Sequence, residues 1–285
     1  MRRKSAPTID ALGRAGDAGA QAHYADPAYY DKTYRSRRWD VEYYVRLARL
    51  SGGPVLEYGA GNGRIAMPIA RAGVDVVAVD LSEPMLEDFR ASLEREPAEV
   101  KRRVRVVQGD MRTARVRRRF PLVIAAFNTI LHLYTRQDME QFLAHVRAHL
   151  APRGRFVFDF SVPRGDELVR DPERSYGAPR IRHPTTGQLV RYAERFEYDP
   201  VRQVLLVWMD FKPEGGGKSW SVPLTHRQFF PREIEALLHY NGFGDMVWTA
   251  DFSDQPPDES VDSMVVSCRA RATGASRPRA RARKG

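Results

Sequence analysis

At 285 residues with 42% hydrophobic content, the chain is long enough to bury one large core or two small ones and to fold unaided. A single cysteine, Cys268, excludes an intrachain disulfide and a cysteine-rich metal cage, and no apolar run approaches the length that spans a membrane. The formal charge of +10 resides in the ends: residues 1–4 carry three basic groups and residues 269–285 seven, with no acid in either, which leaves 36 basic against 36 acidic groups in the body.

Residues 1–22, rich in Ala, Gly and Arg without periodicity, read as a disordered terminus with no apolar signal core, so a cytoplasmic location is expected. Residues 23–50 change texture. Tyr24, Tyr29, Tyr30, Tyr34 and Trp39 precede Val41, Tyr44, Val45, Leu47, Ala48 and Leu50 at helical spacing. Such density predicts a helical lid over a pocket mouth, the alternative for each tyrosine being plain packing on a sheet. Next, apolar Pro54–Leu56 reads as the end of a buried strand, Gly59, Gly61 and Gly63 as a tight reversal, and Ile65, Ile69 and Ala72 as a helix face. The reversal offers free amides to a ligand, and its G-x-G-x-G spacing differs from the G-x-G-x-x-G of nicotinamide folds.

Val74–Val79 predicts a second strand ending at Asp80, where an acid suits the two hydroxyls of a ribose and so an adenosine-containing ligand. Ser82 caps the helix that Pro84 opens, with Met85 on it. Val104–Val107 closes into Gly109, Asp110 and Met111, inside a basic cluster from Lys101 to Arg119 that reads either as a solvated face or as a polyanion contact. Phe120–Phe127 continues into Asn128 and His132. Gln137–Leu150 is an amphipathic helix. Its His145 and His149 have metal-pair spacing but no acidic partner, so an exposed face is expected and no metal. After a strand at Phe156–Phe160 the period changes to alternation: Leu189–Tyr198, Gln203–Phe211 and Trp220–Phe230. A helix at Pro231–Tyr240 and strands near Met246–Thr249 and Ser263–Arg269 close the pattern, and 269–285 reads as a disordered basic tail. Strand and helix alternate from 54 to 160, which predicts an α/β core over 51–160 with a parallel sheet and helices on both faces. Residues 161–225 form an antiparallel β insertion, and 226–268 complete the core. Late apolar strands at a sheet edge leave a homodimer open.

Glu57-Tyr58-Gly59-Ala60-Gly61-Asn62-Gly63, with Asp80 and the Gly109-Asp110-Met111 turn in register behind it, resembles the first motifs of class I S-adenosylmethionine-dependent methyltransferases. The resemblance implies their Rossmann-like seven-stranded sheet and S-adenosyl-L-methionine as cofactor. It implies Glu57, Gly59, Ala60 and Gly61 at the methionine end, Asp80 at the ribose, Leu81, Met85, Asp110 and Met111 at the adenine, and Phe127 at the methionine amino group. The string from Tyr24 through Tyr30 to Asp40 is similar to the lid of small-molecule methyltransferases, where the first tyrosine reaches the reacting end. Tyr24 and His132 are then the implied catalytic pair, His132 as a base of ordinary pKa about 6.5. Asn128, His132, His226 and Arg227 line the implied acceptor site, the last two in a segment similar to aminosugar N-methyltransferases, and the insertion roofs it. The expected activity is in-line methyl transfer to a small amine or hydroxyl of a specialised metabolite. Alternatives are an RNA or protein methyltransferase using the arginines and the tail, with nucleic acid the less favoured partner, and a non-catalytic adenosine-binding module. Ala126-Phe127-Asn128-Thr129 lacks the prolines of DNA amino-methylating enzymes, and Cys268 lies far from any motif.

Overall fold

A computed structural model describes residues 21–177 and 179–271. The two stretches expected to be disordered, 1–22 and 269–285, lie outside the described residues except at their inner edges. There Gln21 and Ala22 begin a helical turn over 21–24, and Arg269 and Ala270 belong to the last strand. The core therefore extends two residues into the expected tail, because the sheet keeps pairing to Ala270, opposite Phe243.

Helices α1 (Pro27–Tyr34) and α2 (Trp39–Ser51) precede the first strand, β1 (Val55–Tyr58). Then come α3 (Ala66–Arg71), β2 (Val76–Asp80), α4 (Glu83–Glu94), α5 (Ala98–Lys101), β3 (Val104–Gln108), β4 (Phe120–Ala125), a 3-10 turn (Thr129–His132), α6 (Arg136–His149) and β5 (Leu150–Ser161). After α7 (Gly165–Leu168), strands β6 (Arg180–Arg182), β7 (Leu189–Asp199), β8 (Val204–Pro213) and β9 (Trp220–Arg227) form the insertion. The chain ends with α8 (Pro231–Tyr240), β10 (Phe243–Ala250) and β11 (Ser263–Ala270).

The central sheet has seven strands in the order β10-β11-β5-β4-β1-β2-β3 and is parallel except where β11 meets both of its neighbours. Its inner strands read as continuous apolar runs because helices cover both faces. One face packs Phe142, Val146, Ile234 and Leu238 of α6 and α8, the other Tyr44, Ile69 and Phe89 of α2, α3 and α4. Strand order reverses between β1 and β4, and a crevice opens at the carboxyl ends there, where such sheets bind ligands. The four insertion strands form a separate antiparallel sheet, order β6-β7-β8-β9. This roof is pinned to the lid: Tyr29 of α1 packs among Val190, Met209 and Phe211, stacks on His183 at 5.3 Å, and Thr185 Oγ1 donates to Asp26 at 2.6 Å.

Among the described residues no helix is long and apolar enough to cross a membrane. His149 is not on an exposed face as expected: it is buried, its Nε2 accepts from Val116 N–H at 3.1 Å and its Nδ1 lies 2.8 Å from the His145 carbonyl. It serves as a joint between α6 and the loop before β4.

Candidate functional site

The carboxyl ends of β1 to β4 and the lid enclose a cavity of about 480 Å3. Tyr24, Tyr30, Gly59, Gly61, Asp80, Leu81, Met85, Asp110, Met111, Phe127 and His132 all line it. Sequence positions up to 108 residues apart thus converge on one chamber.

The glycine reversal is dictated by crowding as well as by backbone angle. Gly59 has φ of 69°, and a Cβ there would overlap the Thr129 side chain, which Thr129 Oγ1 anchors by donating to Ala126 O at 2.7 Å. Only glycine lets the 3-10 turn and the loop approach so closely. The loop is fixed to β2 as well: Gly61 N–H donates to Asp80 Oδ2 at 2.7 Å and Ser82 N–H to Oδ1 at 2.8 Å. With the Leu81 amide, three N–H groups sit on the carboxylate, which keeps acceptor capacity and lines the cavity. Burial raises its pKa, and the amides of Ser82, Gly61 and Leu81 oppose the rise.

Glu57, 1% exposed, has one carboxylate oxygen, Oε2, with no hydrogen-bond partner among the described residues. Burial holds this carboxyl well above its ordinary range, against the pull of Arg64 and with a push from Asp80. A buried acceptor without a donor is rare and asks for a ligand group. Asp110 lines the cavity and is also paired within the chain. Its two oxygens take the Arg112 guanidinium, at 2.6 to 3.0 Å, and the Arg112 amide at 2.8 Å, while Arg112 also reaches Asp138 at 2.8 Å. Three N–H groups thus sit on its two oxygens, the Arg112 Nε–H shared between them, and acceptor capacity remains for a ligand. Ala60, 5% exposed, turns its N–H to Val79 O at 3.1 Å and holds the loop rather than the cavity wall.

After β4 the backbone makes two successive left-handed steps, Phe127 at φ 56° and Asn128 at φ 64°. Buried Asp159 on β5 stabilises them by accepting from Phe127 N–H at 2.8 Å, Asn128 N–H at 3.3 Å and Tyr44 O–H at 2.6 Å. The Asn128 side chain, expected at the acceptor, is spent bridging to Ser161 in both directions, at 3.0 and 2.7 Å. Arg227 also departs from expectation: it pairs with Glu233 of α8 at 2.6 Å and donates to Gln228 O, away from the cavity. Strand alternation explains this, since His226 and Arg227 must point to opposite faces of β9. His226 takes the opposite face from Arg227, its ring 5.1 Å from that of the cavity-lining His132, though His226 does not itself line the cavity.

The lid delivers Tyr24, whose hydroxyl lies 2.9 Å from His132 Nε2. Burial, with the nearby His23 adding to it, pushes His132 down to about 4, and burial does the same to His23 against Asp26. His226 is lowered well below its usual value, first by burial and then by His132 and His23. All three are neutral imidazoles at neutral pH, so the unperturbed value expected for His132 does not hold. Among the described residues no group of three or more His, Cys, Asp or Glu could hold a metal ion.

Sequence reasoning missed the tie between lid and loop. Arg64 binds buried Asp40 of α2 at 2.9 and 2.7 Å, donates to Arg37 O at 3.2 Å, and stacks 4.7 Å from the Phe127 ring centroid. No local signal marks a partner 24 residues away.

A family model described as a methyltransferase domain matches residues 55–154. The cypemycin N-terminal methyltransferase of a Streptomyces species is 32% identical over 46% of this chain and 51% of its own. The dTDP-3-amino-3,4,6-trideoxy-alpha-D-glucopyranose N,N-dimethyltransferase of Streptomyces venezuelae is 27% identical over 45% of this chain and 51% of its own, so the chain spans about half the length of these curated relatives. The solved CcbJ methyltransferase from Streptomyces caelestis superposes with a TM-score of 0.68 at 28% identity, over 82% of this chain and 90% of that one.

Proposed function

We infer, from the premise that this chain belongs to the class I S-adenosylmethionine-dependent methyltransferases, that it methylates the nitrogen of a small-molecule amine in the assembly of a specialised metabolite. The observation that carries the reading is one cavity wall running from Asp80 past the glycine loop to the Tyr24–His132 pair, with an unpartnered Glu57 oxygen behind the loop. Both curated relatives are named for amine acceptors, one a peptide N-terminus and the other an aminosugar.

The residues present fit S-adenosylmethionine. Asp80 offers acceptors to ribose hydroxyls, Glu57 Oε2 and the Phe127 carbonyl suit the methionine ammonium, and Leu81, Met85 and Met111 offer apolar contact to the base. Bound there, the cofactor supplies a methyl group that passes from sulfonium sulfur to the acceptor nitrogen in one displacement, the positive charge moving with it and the new ammonium losing its proton to solvent. The chain's task is alignment, worth up to about 7–11 kcal/mol in ideal cases. His132, held neutral with a pKa of about 4, is too weak a base to keep the proton of an alkylammonium; it orients Tyr24 and the incoming amine instead. The amine enters as its free base, because desolvating an unpaired ammonium among neutral imidazoles is costly.

Calorimetric titration of the full chain with S-adenosylhomocysteine, repeated with Asp80→Ala, tests the cofactor. Micromolar binding lost in the variant is expected. Absence of binding overturns the reading. Mass detection of methylated products from a panel of amines and matched alcohols then tests nitrogen against oxygen.

A further inference from the structure

Tyr134, on the segment between the 3-10 turn and α6, stands outside every motif of the sequence, yet its hydroxyl makes contacts on two sides. It lies 3.4 Å from His132 Nδ1, 2.7 Å from Thr225 Oγ1 and 3.1 Å from the Thr225 carbonyl. Thr225 is fully buried on β9, and β9 is an edge strand of the four-stranded roof. A continuous chain therefore runs Tyr24, His132, Tyr134, Thr225, from the cavity wall into the roof.

The Thr225 carbonyl, at 3.1 Å, gives the direction from which the other hydrogens of that chain follow, the Thr225 hydroxyl at 2.7 Å being able to donate or accept. A carbonyl oxygen only accepts, so the Tyr134 hydroxyl donates toward Thr225 and presents its lone pairs to His132. The neutral imidazole must then carry its hydrogen on Nδ1, and its Nε2 becomes an acceptor. The Tyr24 hydroxyl in turn donates to Nε2 at 2.9 Å, and its remaining lone pairs are left for the chamber. We propose that Tyr134 is a positioning residue that, braced on the roof strand at Thr225, holds His132 as the Nδ1–H tautomer and so turns the Tyr24 oxygen into a hydrogen-bond acceptor for the methyl acceptor. This rests on the reading of the site as a methyltransferase site and names the substrate class more closely. The nucleophilic nitrogen needs an N–H for Tyr24 while its lone pair faces the methyl group. Primary and secondary amines meet both demands; a tertiary amine meets only the second.

The test is long-range proton–nitrogen correlation spectroscopy on the full chain, labelled with nitrogen-15 histidine and saturated with S-adenosylhomocysteine. Its loss in His132→Phe assigns the His132 signal. The expected result is a neutral Nδ1–H imidazole, moved toward Nε2–H in Tyr134→Phe and unmoved in Thr225→Val, where the main-chain carbonyl remains. A His132 found as the Nε2–H form or as imidazolium in the unsubstituted chain overturns the proposal, and so does a Tyr134→Phe spectrum identical to it. The unsubstituted measurement stands even if a variant fails to fold. A second arm incubates the chain and S-adenosylmethionine with the amino, methylamino and dimethylamino forms of one dTDP-deoxysugar. Methylation confined to the first two supports the proposal, and a quaternary ammonium product overturns it. Failure of S-adenosylhomocysteine to bind at all counts against the function reading instead and is seen separately in the titration.

Discussion

Replacing Asp40 by Asn separates the lid from the glycine loop with a change of one atom. Asp40 is fully buried and accepts two bonds from Arg64, at 2.9 and 2.7 Å, and one from Val41 N–H at 2.8 Å. Removing one member of a buried pair leaves the other charge uncompensated and costs about 3–5 kcal/mol, a large share of the roughly 5–15 kcal/mol that holds a domain folded. With a urea slope of about 1–3 kcal/mol per molar, the unfolding midpoint should fall by more than about 1 M. Arg64 also carries the Phe127 ring, so S-adenosylhomocysteine affinity should fall with stability. Replacing both partners by apolar residues, as Asp40→Leu with Arg64→Met, should recover most of the midpoint while leaving affinity low. Urea unfolding and calorimetry on the same samples report the two quantities. A loss under about 1 kcal/mol for Asp40→Asn at unchanged slope, or a double variant no better than the single one, refutes the idea that this pair ties lid to loop.

Gly59→Ala must adopt a left-handed angle, at about 1–2 kcal/mol, and displace the Thr129 side chain, at about 1–3 kcal/mol; thermal unfolding should show the loss, eased by adding Thr129→Ala. For Glu57 the folded pKa is raised, so the native state holds a proton that the unfolded state releases, and this residue lowers stability as pH climbs above about 4.3. Glu57→Gln should therefore match or exceed the parent in thermal stability at pH 7 while binding S-adenosylhomocysteine about 10–100-fold more weakly, from one lost charged hydrogen bond of about 1.5–3 kcal/mol. His23 shows the opposite sign. Its folded pKa near 4 lies below the unfolded value of about 6.5, so its stabilising contribution is full above the upper value and lost as pH falls toward the lower. His23→Phe should flatten the acid limb of a stability-versus-pH curve by up to about 1.4 kcal/mol per pH unit between those values, and an unchanged limb would mean that His23 is not held neutral.

What the sequence determined by itself was whatever repeats locally or follows chain order. Apolar runs ending in Gly59, Asp80 and Asp110 announced strands whose carboxyl ends border one cavity, because each strand's period and its closing residue lie within a few positions of each other. The alternation from β1 to β5 dictated a parallel sheet with helices on both faces, since right-handed crossovers allow little else. Tertiary structure alone decided which polar groups were free. Asn128 carries suitable chemistry by type, but Ser161 uses it up, and Arg227 turns to Glu233 because strand alternation sends it to the far face. The low basicity of His132 comes from burial, with His23 adding to it, which no neighbouring position in the chain reveals. The Asp40–Arg64 tie and the Tyr134–Thr225 brace join residues 24 and 91 positions apart. Hydrogen bonds and desolvation act through space within a few ångströms, so pairings of that kind exist only once packing has brought the partners together.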